Sequence, residues 1–443
     1  MTERSLIPPH RKEQKLPPRD TFIDDPFFGF FDGGPREPRT NGLVDLLGAR
    51  RWFDVVGWGI RSDLYLYQQP LSGRSGPRVA LNGRPMLVLS SYDYLGLIGH
   101  PAIESAAIGA VQTFGTGTGG VRLLTGTTDL HRGLEHDLAK LLGTEGAITF
   151  SSGYAANVGT MASLFGPRDL VLADSRIHRS LLDGCAMARV PVRTFHHNDM
   201  DSLRQALAVP KRPRRTLIAV EGIYSMDGDI CPLPDVVALK REFDAFLLVD
   251  EAHSLGVLGS RGGGVVEHFG IPGDAIDVRT GSFSKAIPSM GGFVGGSREL
   301  IVYLQHGVAS FMFSGALCPA AGAAARAALG LIEVASDRRA TAWRNASRLR
   351  GGLSIRGYDV GTGDTPLIPV IAGEDEAAYR LARGIWDRGV WTTAVVYPAV
   401  PRGLARLRLC ATAAHSELDV DAALEAFGKE PAVRPVPRAV SVA

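Results

Sequence analysis

The chain has 443 residues, of which 45% are hydrophobic, and its 48 basic and 46 acidic side chains leave a formal net charge of +2. This length and apolar content supply a large buried core, and the near-neutral balance argues against a nucleic-acid-binding face. The sequence lacks the run of roughly 20 apolar residues that a membrane span requires. Four cysteines are far apart and form no Cys-x-x-Cys pair (Cys185, Cys231, Cys318 and Cys410). We therefore expect a cytoplasmic protein with reduced thiols and no zinc or other metal site.

The N-terminal region, residues 1–42, is rich in proline and charge and contains an aromatic cluster at residues 26–31. This cluster is too apolar for a free tail, so we expect an arm that docks on a surface such as that of a partner subunit. The last residues, 431–443, are expected to be frayed.

Strand-like apolar runs then alternate with helix-like segments, the pattern of an α/β protein with a mostly parallel sheet. The segment 101–114 has a helical pattern, so the Gly115-Thr-Gly-Thr-Gly-Gly120 string behind it lacks the preceding strand of a dinucleotide site. Further helices are predicted over residues 129–142, 233–243, 319–335 and 374–388, and a last one begins at a capping box formed by Ser416 to Asp419. Strands are predicted over residues 146–150, 216–220, 246–250, 291–295, 390–396 and 405–410.

Lys285 stands among small and hydroxyl residues at the end of the segment 280–285, which we expect to lie on a turn. A lysine that forms a Schiff base with a flat cofactor needs close backbone approach, hydroxyl groups near a phosphate and a lowered pKa. The segment offers the first two of these features. The alternative is an ordinary solvated surface lysine.

The strand-like run 246–249 ends in Asp250-Glu-Ala-His253, so a carboxylate and an imidazole follow a buried type of strand. Open α/β sheets build their sites at this end of their strands. An enzyme that uses pyridoxal 5′-phosphate (PLP) needs a carboxylate against the pyridine nitrogen, because the protonated ring accepts carbanion electrons. Asp250 meets that need, Ala252 is small enough to lie under a ring, and His253 can reach the phenolic side. An aspartate that caps a turn beside a surface histidine is the alternative.

Three further segments offer groups for the same chemistry. The strand that ends at Phe150 breaks at Ser151-Ser-Gly153 and opens a helix, whose free N–H groups and dipole favour a phosphate. Residues 221–229 follow another strand and contain the hydroxyl of Ser225, and residues 174–178 follow a third strand and end in a histidine. An ordinary capped turn and a structural histidine are the alternatives.

Taken together and in this order, these segments resemble the α-oxoamine synthase family of fold-type I PLP enzymes. The resemblance begins at Leu89-Ser-Ser-Tyr-Asp-Tyr-Leu-Gly-Leu97 and extends to about Phe427. It implies a large domain with a mostly parallel seven-stranded sheet and a smaller C-terminal α+β domain. We accordingly divide the chain into an N-terminal arm and segment (1–88), a PLP-binding large domain (89–325) and a small domain (326–443).

The resemblance also assigns roles to individual residues. Lys285 is expected to hold PLP as a Schiff base and to move the Cα proton, with Asp250 on the pyridinium nitrogen. His178 is expected to stack on the ring, while Ser225 and His253 hydrogen-bond the phenolic oxygen or the substrate carbonyl. The expected phosphate ligands are Ser152, Gly153, Tyr154, Ser282 and, donated by the neighbouring subunit of a homodimer, Ser314.

Substrate contacts follow from the same resemblance. The family places an arginine on the amino-acid carboxylate, and the motif indicates Arg408, with Arg406 on the same side of a strand. A surface salt bridge is the alternative for either arginine. Val121 lies where the family helps to select the amino acid, and valine there is similar to the ketobutyrate ligases. Three positions near the substrate or phosphate depart from the family: Tyr92, where asparagine is common, and Gly315 and Ala399, where threonine is common.

The implied reaction is a decarboxylating condensation of an amino acid with an acyl thioester, carried by CoA or a carrier protein, to give an α-amino ketone. The N-terminal arm and the departures at Tyr92 and Ala399 favour a specialised biosynthetic role over haem or biotin synthesis. A PLP aminotransferase or a C–C lyase is the alternative, because either can use the same lysine and aspartate. A non-catalytic PLP-binding protein is the remaining alternative, although sensors of this fold carry a DNA-binding helix pair that the proline-rich N-terminal region lacks.

Overall fold

The computed structural model describes residues 37, 40–81, 83–208 and 213–428. The aromatic cluster at 26–31 and the end region 431–443 lie outside these residues, so both expectations stay predictions. Within the described ranges, no helix is both long enough and apolar enough to cross a bilayer.

Strands and helices alternate along the described chain. The strands are β1 (Arg78–Leu81), β2 (Arg84–Val88), β3 (Gly146–Phe150), β4 (Leu170–Asp174), β5 (Val192–Phe195), β6 (Thr216–Glu221), β7 (Phe246–Asp250), β8 (Val278–Ser284), β9 (Pro288–Gly296), β10 (Leu367–Gly373), β11 (Val390–Trp391), β12 (Ala394–Val395) and β13 (Ala405–Cys410). The α-helices are α1 (Leu47–Arg61), α2 (Pro101–Phe114), α3 (Asp129–Leu142), α4 (Gly153–Leu164), α5 (Arg179–Ala188), α6 (Met200–Leu207), α7 (Leu233–Glu242), α8 (Val265–His268), α9 (Arg298–Gly307), α10 (Ala309–Met312), α11 (Pro319–Val334), α12 (Ser336–Ile355), α13 (Asp375–Asp387) and α14 (Glu417–Phe427).

A seven-stranded sheet has the order β3-β9-β8-β7-β6-β4-β5. Strands β5, β4, β6, β7 and β8 pair in parallel, whereas β9 pairs antiparallel with both β8 and β3. Helices cross over between the parallel strands because parallel neighbours cannot be joined by a tight turn. The predicted α/β class and mostly parallel seven-stranded sheet are confirmed.

The central strands of this sheet are apolar on both faces. In β6, Ile218 and Val220 enter one hydrophobic core, while Leu217 and Ala219 enter the core on the opposite face. Successive side chains of a strand point to opposite faces, so burying both faces requires an unbroken apolar run. This is why the run 216–220 predicts a strand of this sheet.

Helix boundaries follow the capping residues in the sequence. Helix α14 begins after Ser416, whose side chain forms the predicted capping box with Asp419. Helix α13 ends just before Gly389, which adopts a φ of 85° that favours glycine. Helix α11 confirms the predicted helix over 319–335 and starts with a proline, whose missing N–H costs no hydrogen bond in the first turn.

Two local predictions were wrong. Residues 390–396 do not form one strand, because β11 pairs in parallel with β2 and β12 pairs antiparallel with β13 in a different sheet. Residues 280–284 belong to β8 and not to a turn, because they pair with β9, for instance Ser282 with Gly292. Only Lys285 and the two residues after it form the bend between these strands.

A separate hydrophobic core lies among the C-terminal elements. It contains Leu349 of α12, Ile368 of β10 and Leu407 of β13, and it also contains Leu87 and Leu89. The residues just before the large sheet therefore pack with the C-terminal part of the chain. The sequence-based division into 1–88, 89–325 and 326–443 stays a prediction.

Candidate active site

Three acidic residues lie at the carboxyl ends of neighbouring strands. Asp174 ends β4, Glu221 ends β6 and Asp250 ends β7, and the pairing of β6 with β7 sets Glu221 opposite Asp250. All three side chains are buried. Parallel strands bring their carboxyl ends to one edge of the sheet, so the fold gathers these groups at the edge that the sequence indicates.

Asp250 is held in place by two donors. The Asn157 side-chain amide donates to Oδ2 at 2.7 Å, and the Ala252 N–H donates to Oδ1 at 2.9 Å. Each carboxylate oxygen keeps a further lone pair, so Asp250 is oriented and still able to accept a hydrogen bond from a ring nitrogen. Sequence reasoning assigned no role to Asn157, although it lies one turn into α4, the helix that opens at the same edge of the sheet.

Glu221 lies in an environment that disfavours its charged form. Burial, followed by the neighbouring Asp250 carboxylate, raises the pKa of Glu221 well above its ordinary value. The raised pKa of Glu221 disfavours a second negative charge beside the Asp250 carboxylate in this buried site. The Ser225 N–H donates to Glu221 Oε2 at 3.1 Å. Sequence reasoning assigned Glu221 no role.

Lys285 and Arg408 converge on the ring of Tyr92. The Nζ of Lys285 lies 5.2 Å from the ring centroid, and the Cζ of Arg408 lies 4.7 Å from the same centroid. The negative face of an aromatic ring attracts cations at such distances. Burial lowers the pKa of Lys285, opposed chiefly by the Asp250 carboxylate, and a lower pKa favours the neutral amine that a nucleophile requires.

His253 borders the same aromatic ring. The centroids of the His253 and Tyr92 rings are 5.7 Å apart with perpendicular planes, and His253 Nδ1 lies 2.8 Å from the Tyr94 hydroxyl. Burial, followed by the charges of Lys285 and His178, lowers the pKa of His253 well below its ordinary value. In the tautomer in which the Tyr94 hydroxyl donates to Nδ1, the neutral ring carries its proton on Nε2 and can donate from there. Sequence reasoning missed this role of Tyr94.

The amino end of α4, the α4 seat, is the segment that is predicted to hold a phosphate. Ser152 caps the helix by accepting the Ala155 N–H at 3.1 Å, and the N–H groups of Gly153 and Tyr154 have no carbonyl partner within the helix. A Cβ built on Gly153 lies 2.9 Å from the Ser282 Cβ, so Ser282 borders these donors. The Tyr154 hydroxyl donates to a carboxylate on α5 at 2.8 Å, which leaves its backbone N–H as the group for a phosphate.

Arg408 and Arg406 have different environments although both project from the same side of β13. Arg406 is 1% exposed and donates to Asp227 Oδ1 at 2.7 Å and to the Met226 carbonyl at 3.0 Å. Arg408 donates to the Ser225 carbonyl at 3.1 Å, and no carboxylate of the described residues forms an ion pair with it. Burial lowers the pKa of Arg408. Because a buried cation needs a compensating anion, Arg408 is better suited than Arg406 to a substrate carboxylate.

His178 and Ser225 lie at the ends of two neighbouring strands of the sheet. His178 caps α5, with its Nδ1 2.7 Å from Ser180 Oγ, and its side chain is exposed. Ser225 is buried and follows β6. The stacking role of His178 and the hydrogen-bonding role of Ser225 stay predictions.

Ser314 and Gly315 lie beside Ser151 and Val121, respectively. Ser314 Oγ lies 3.5 Å from the Oγ of Ser151 in the same chain, and Val121 forms a β-bridge with Gly315. The β-bridge places Gly315, which departs from the family pattern, next to Val121, which is expected to select the amino acid. Donation by Ser314 to a neighbouring subunit and selection by Val121 stay predictions.

Gly292→Ala is expected to weaken PLP binding and to lower stability. A Cβ there lies 2.4 Å from the Gly153 nitrogen and 2.5 Å from the Ser152 carbonyl carbon, and backbone cannot move aside as a flexible side chain does. We expect the start of α4 to shift, the free energy of unfolding to fall by about 1–3 kcal/mol and the PLP Kd to rise. Thermal unfolding and cofactor titration measure both effects. Gly330→Ala is the control, because Gly330 is exposed on α11 with open space around it. If the two variants have equal unfolding temperatures and equal PLP Kd values, Gly292 does not support the start of α4 as described.

The comparisons with known proteins agree with this geometry. The family model for aminotransferase class I and II matches residues 84–427. The 8-amino-7-oxononanoate synthase of Thermoanaerobacter pseudethanolicus is 40% identical over 370 residues, which cover 83% of this chain and 93% of that protein. That of Geobacter sulfurreducens is 41% identical over 372 residues, with coverage of 83% and 95%. A solved structure of a serine palmitoyltransferase variant from S. paucimobilis with a bound PLP–myriocin aldimine has a TM-score of 0.82 at 32% identity and covers 86% of this chain and 97% of that chain.

The chain belongs to the aminotransferase class I and II family. Within this family its relatives are α-oxoamine synthases, so the resemblance seen in the motifs and the fold-type I architecture are confirmed. The residues of this aminotransferase class I and II protein fit PLP. The α4 seat offers N–H donors for a phosphate, Asp250 offers an oriented carboxylate for the ring nitrogen, and Lys285 offers a half-buried amine for the aldehyde.

Proposed function

We propose that this chain is a PLP-dependent acyltransferase that condenses an amino acid with an acyl thioester, releases CO₂ and forms an α-amino ketone. The observation that carries the proposal is the convergence of Lys285 and Arg408 on the Tyr92 ring. The Lys285 amine, which would move a proton, and the Arg408 guanidinium, which would hold a carboxylate, then face the same substrate. The relatives named 8-amino-7-oxononanoate synthase and serine palmitoyltransferase support a condensation of this class.

PLP, when bound, supplies an electron-accepting ring that lets the Cα of an amino acid lose its proton. The N–H groups of Gly153 and Tyr154, together with the Ser282 hydroxyl, would hold its phosphate. Asp250 would hold the ring nitrogen in its protonated form, and His178 would cover one face of the ring. The raised pKa of Glu221 disfavours a second negative charge beside Asp250.

The chain's own side chains then position the substrate and move the proton. Arg408 holds the substrate carboxylate through charge-assisted hydrogen bonds, which orient the Cα toward Lys285. The neutral Nζ of Lys285 accepts the Cα proton and returns it after CO₂ is lost. The Nε2–H of His253 is available to the carbonyl oxygen of the acyl group or to the phenolic oxygen of the cofactor.

Arg408→Lys is expected to weaken amino-acid binding selectively. A lysine keeps the charge but loses the planar fork of donors that matches a carboxylate. We expect the KM for the amino acid to rise by about 10-fold to 100-fold and the KM for the acyl thioester to stay near the wild-type value. Steady-state kinetics with each substrate varied in turn measure the difference. Arg380→Lys is the control, since Arg380 pairs with Glu376 on the exposed face of α13; an unchanged amino-acid KM in Arg408→Lys contradicts the assignment.

The experiment that tests the function is a substrate screen with the PLP-loaded enzyme. Each proteinogenic amino acid is offered with acyl-CoA thioesters of several chain lengths and, separately, with acyl-carrier-protein thioesters. Appearance of an α-amino ketone by mass spectrometry, dependent on both substrates, is the expected result. Conversion of the amino acid to its oxo acid, or cleavage of its side chain without a thioester, indicates an aminotransferase or a lyase and overturns the proposal. The same screen tests the specialised biosynthetic role.

We also propose that the enzyme is a cytoplasmic homodimer with shared active sites. Large apolar side chains are exposed within three residues of site residues in the sequence, namely Phe313 at 81% beside Ser314, Leu124 at 77% near Val121 and Met290 at 66% near Gly292. Exposed apolar groups of this size are typical of a protein interface, and Phe313 directly precedes Ser314. The described cysteines are free thiols, which supports a reducing compartment.

A further inference from the structure

His197 bridges two aspartates. Its Nδ1 lies 2.9 Å from Asp174 Oδ1, and its Nε2 lies 2.7 Å from Asp229 Oδ2. A neutral imidazole carries a proton on only one nitrogen, so it would set a lone pair against one of the carboxylates. The two contacts therefore require the protonated ring. Burial disfavours this charge, but the hydrogen bonds to Asp174 and Asp229 outweigh it and raise the pKa of His197 to about 10.

Neighbouring residues reinforce the bridge. The Asn198 N–H donates to Asp174 Oδ2 at 3.0 Å, and its side-chain amide donates to Asp229 Oδ2 at 3.0 Å. The His197 ring packs perpendicular to the buried Tyr224 ring, with centroids 4.4 Å apart. Asp174 ends β4, His197 follows β5 and Asp229 lies in the loop after β6. The bridge thus joins three segments that are remote in sequence.

The segment 224–229, which ends at Asp229, supports the substrate arginine. The Ser225 carbonyl accepts from Arg408, and the next two residues of the segment accept from Arg406. At Gly228 the segment also packs tightly against β10, where a Cβ would lie 2.2 Å from a backbone carbonyl oxygen. The position of this segment therefore sets the position of β13 side chains at the site.

We propose that His197 is a positioning residue whose doubly hydrogen-bonded imidazolium fixes segment 224–229 and, through it, the Arg408 guanidinium that binds the amino-acid carboxylate. The inference rests on the proposed function, because that function assigns the carboxylate to Arg408. The titratable groups that face the ring are Asp174 from β4 and Asp229 and Tyr224 from the segment after β6. Loss of the bridge loosens the carboxylate site and leaves Lys285 and the α4 seat in place.

His197→Gln tests this role, because an amide donates to one carboxylate and presents an oxygen to the other. We expect the KM for the amino acid to rise by about 10-fold to 100-fold. The KM for the acyl thioester is expected to stay within about twofold of the wild-type value. His196→Gln is the matched control, since the neighbouring His196 side chain is 74% exposed and 3.8 Å from Asp199; we expect wild-type kinetics from it.

A double variant separates positioning from a general loss of stability. Adding Asp229→Asn to His197→Gln supplies an amide donor opposite the new side-chain oxygen, so amino-acid affinity is expected to recover toward wild type. If His197→Gln does not yield folded holoenzyme, Asp229→Ala, which removes the acceptor of the His197 Nε2–H, is expected to show the same rise in amino-acid KM. An amino-acid KM equal to that of His196→Gln, or no recovery in the double variant, overturns the positioning role. A wild-type enzyme that forms no amino ketone with any substrate pair instead overturns the proposed function.

Discussion

Lys285→Ala is expected to reduce amino ketone formation by about 1,000-fold or more, because the variant loses both the covalent hold on PLP and the group that moves the Cα proton. No other lysine is available at the strand edge among the site residues that the structure describes. The Lys285 amine lies in the bend between β8 and β9, beside the Tyr92 ring and within the field of Asp250. Single-turnover kinetics and borohydride trapping of the cofactor, followed by peptide mass mapping, measure the two losses separately.

Lys140→Ala is the control for this experiment, since Lys140 is exposed in the last turn of α3 and remote in sequence from the site. It is expected to trap PLP on Lys285 and to turn over at the wild-type rate. Turnover of Lys285→Ala near that of Lys140→Ala, or cofactor trapped on a different lysine in the wild type, contradicts the assignment of Lys285.

Asp250→Asn is expected to lower kcat by about 100-fold to 1,000-fold while the protein stays folded. The amide has the shape of the carboxylate but cannot keep a positive charge on the ring nitrogen, so the ring accepts electrons less well. The amide keeps one oxygen to accept from either Asn157 or the Ala252 N–H and turns its NH₂ toward the other donor, so one of these two hydrogen bonds is lost. Release of CO₂ under saturating substrates measures kcat, and cofactor titration shows whether PLP still binds.

Asp54→Asn serves as the matched control because Asp54 is exposed within α1. Its kcat is expected to equal that of the wild type. If Asp250→Asn and Asp54→Asn turn over at rates within about twofold of each other, the carboxylate of Asp250 does not hold the ring nitrogen, and this part of the account is wrong.

The sequence predicts best those site residues that directly follow long apolar runs. The run 246–249 has to be a strand buried on both faces, and this apolar pattern alone places Asp250 at the carboxyl edge of the sheet. The same reasoning places residues 174–178 and 221–229 at that edge. Agreement of the family motifs with these positions then indicates Lys285 and Arg408.

Contacts between remote segments could not be predicted in this way. The bond between Asn157 and Asp250 spans 93 positions, and that between Tyr94 and His253 spans 159. Each depends on how helices and loops pack over the sheet, which apolar periodicity does not encode. The bridge at His197 is of the same kind, since its two aspartates come from different strand ends.

The division of roles between Arg406 and Arg408 also required the structure. Both side chains leave the same side of β13, so their spacing cannot distinguish them. The distinction is made by Asp227, which neutralises Arg406 and belongs to a loop 179 positions away. Similarly, Thr392 and Thr393 separate β11 from β12, and only the pairing partners of those strands show that the predicted single strand is two.

The most direct test of the central claim is the simultaneous measurement of CO₂ and free thiol released by the PLP-loaded wild-type enzyme. The amino acid carries a ¹³C label at its carboxyl carbon, and the acyl thioester is supplied in excess. If the proposed condensation takes place, labelled CO₂ and thiol form in equal amounts, and neither forms when one substrate is left out. Consumption of the amino acid with no labelled CO₂, or thiol release that does not depend on the amino acid, contradicts it.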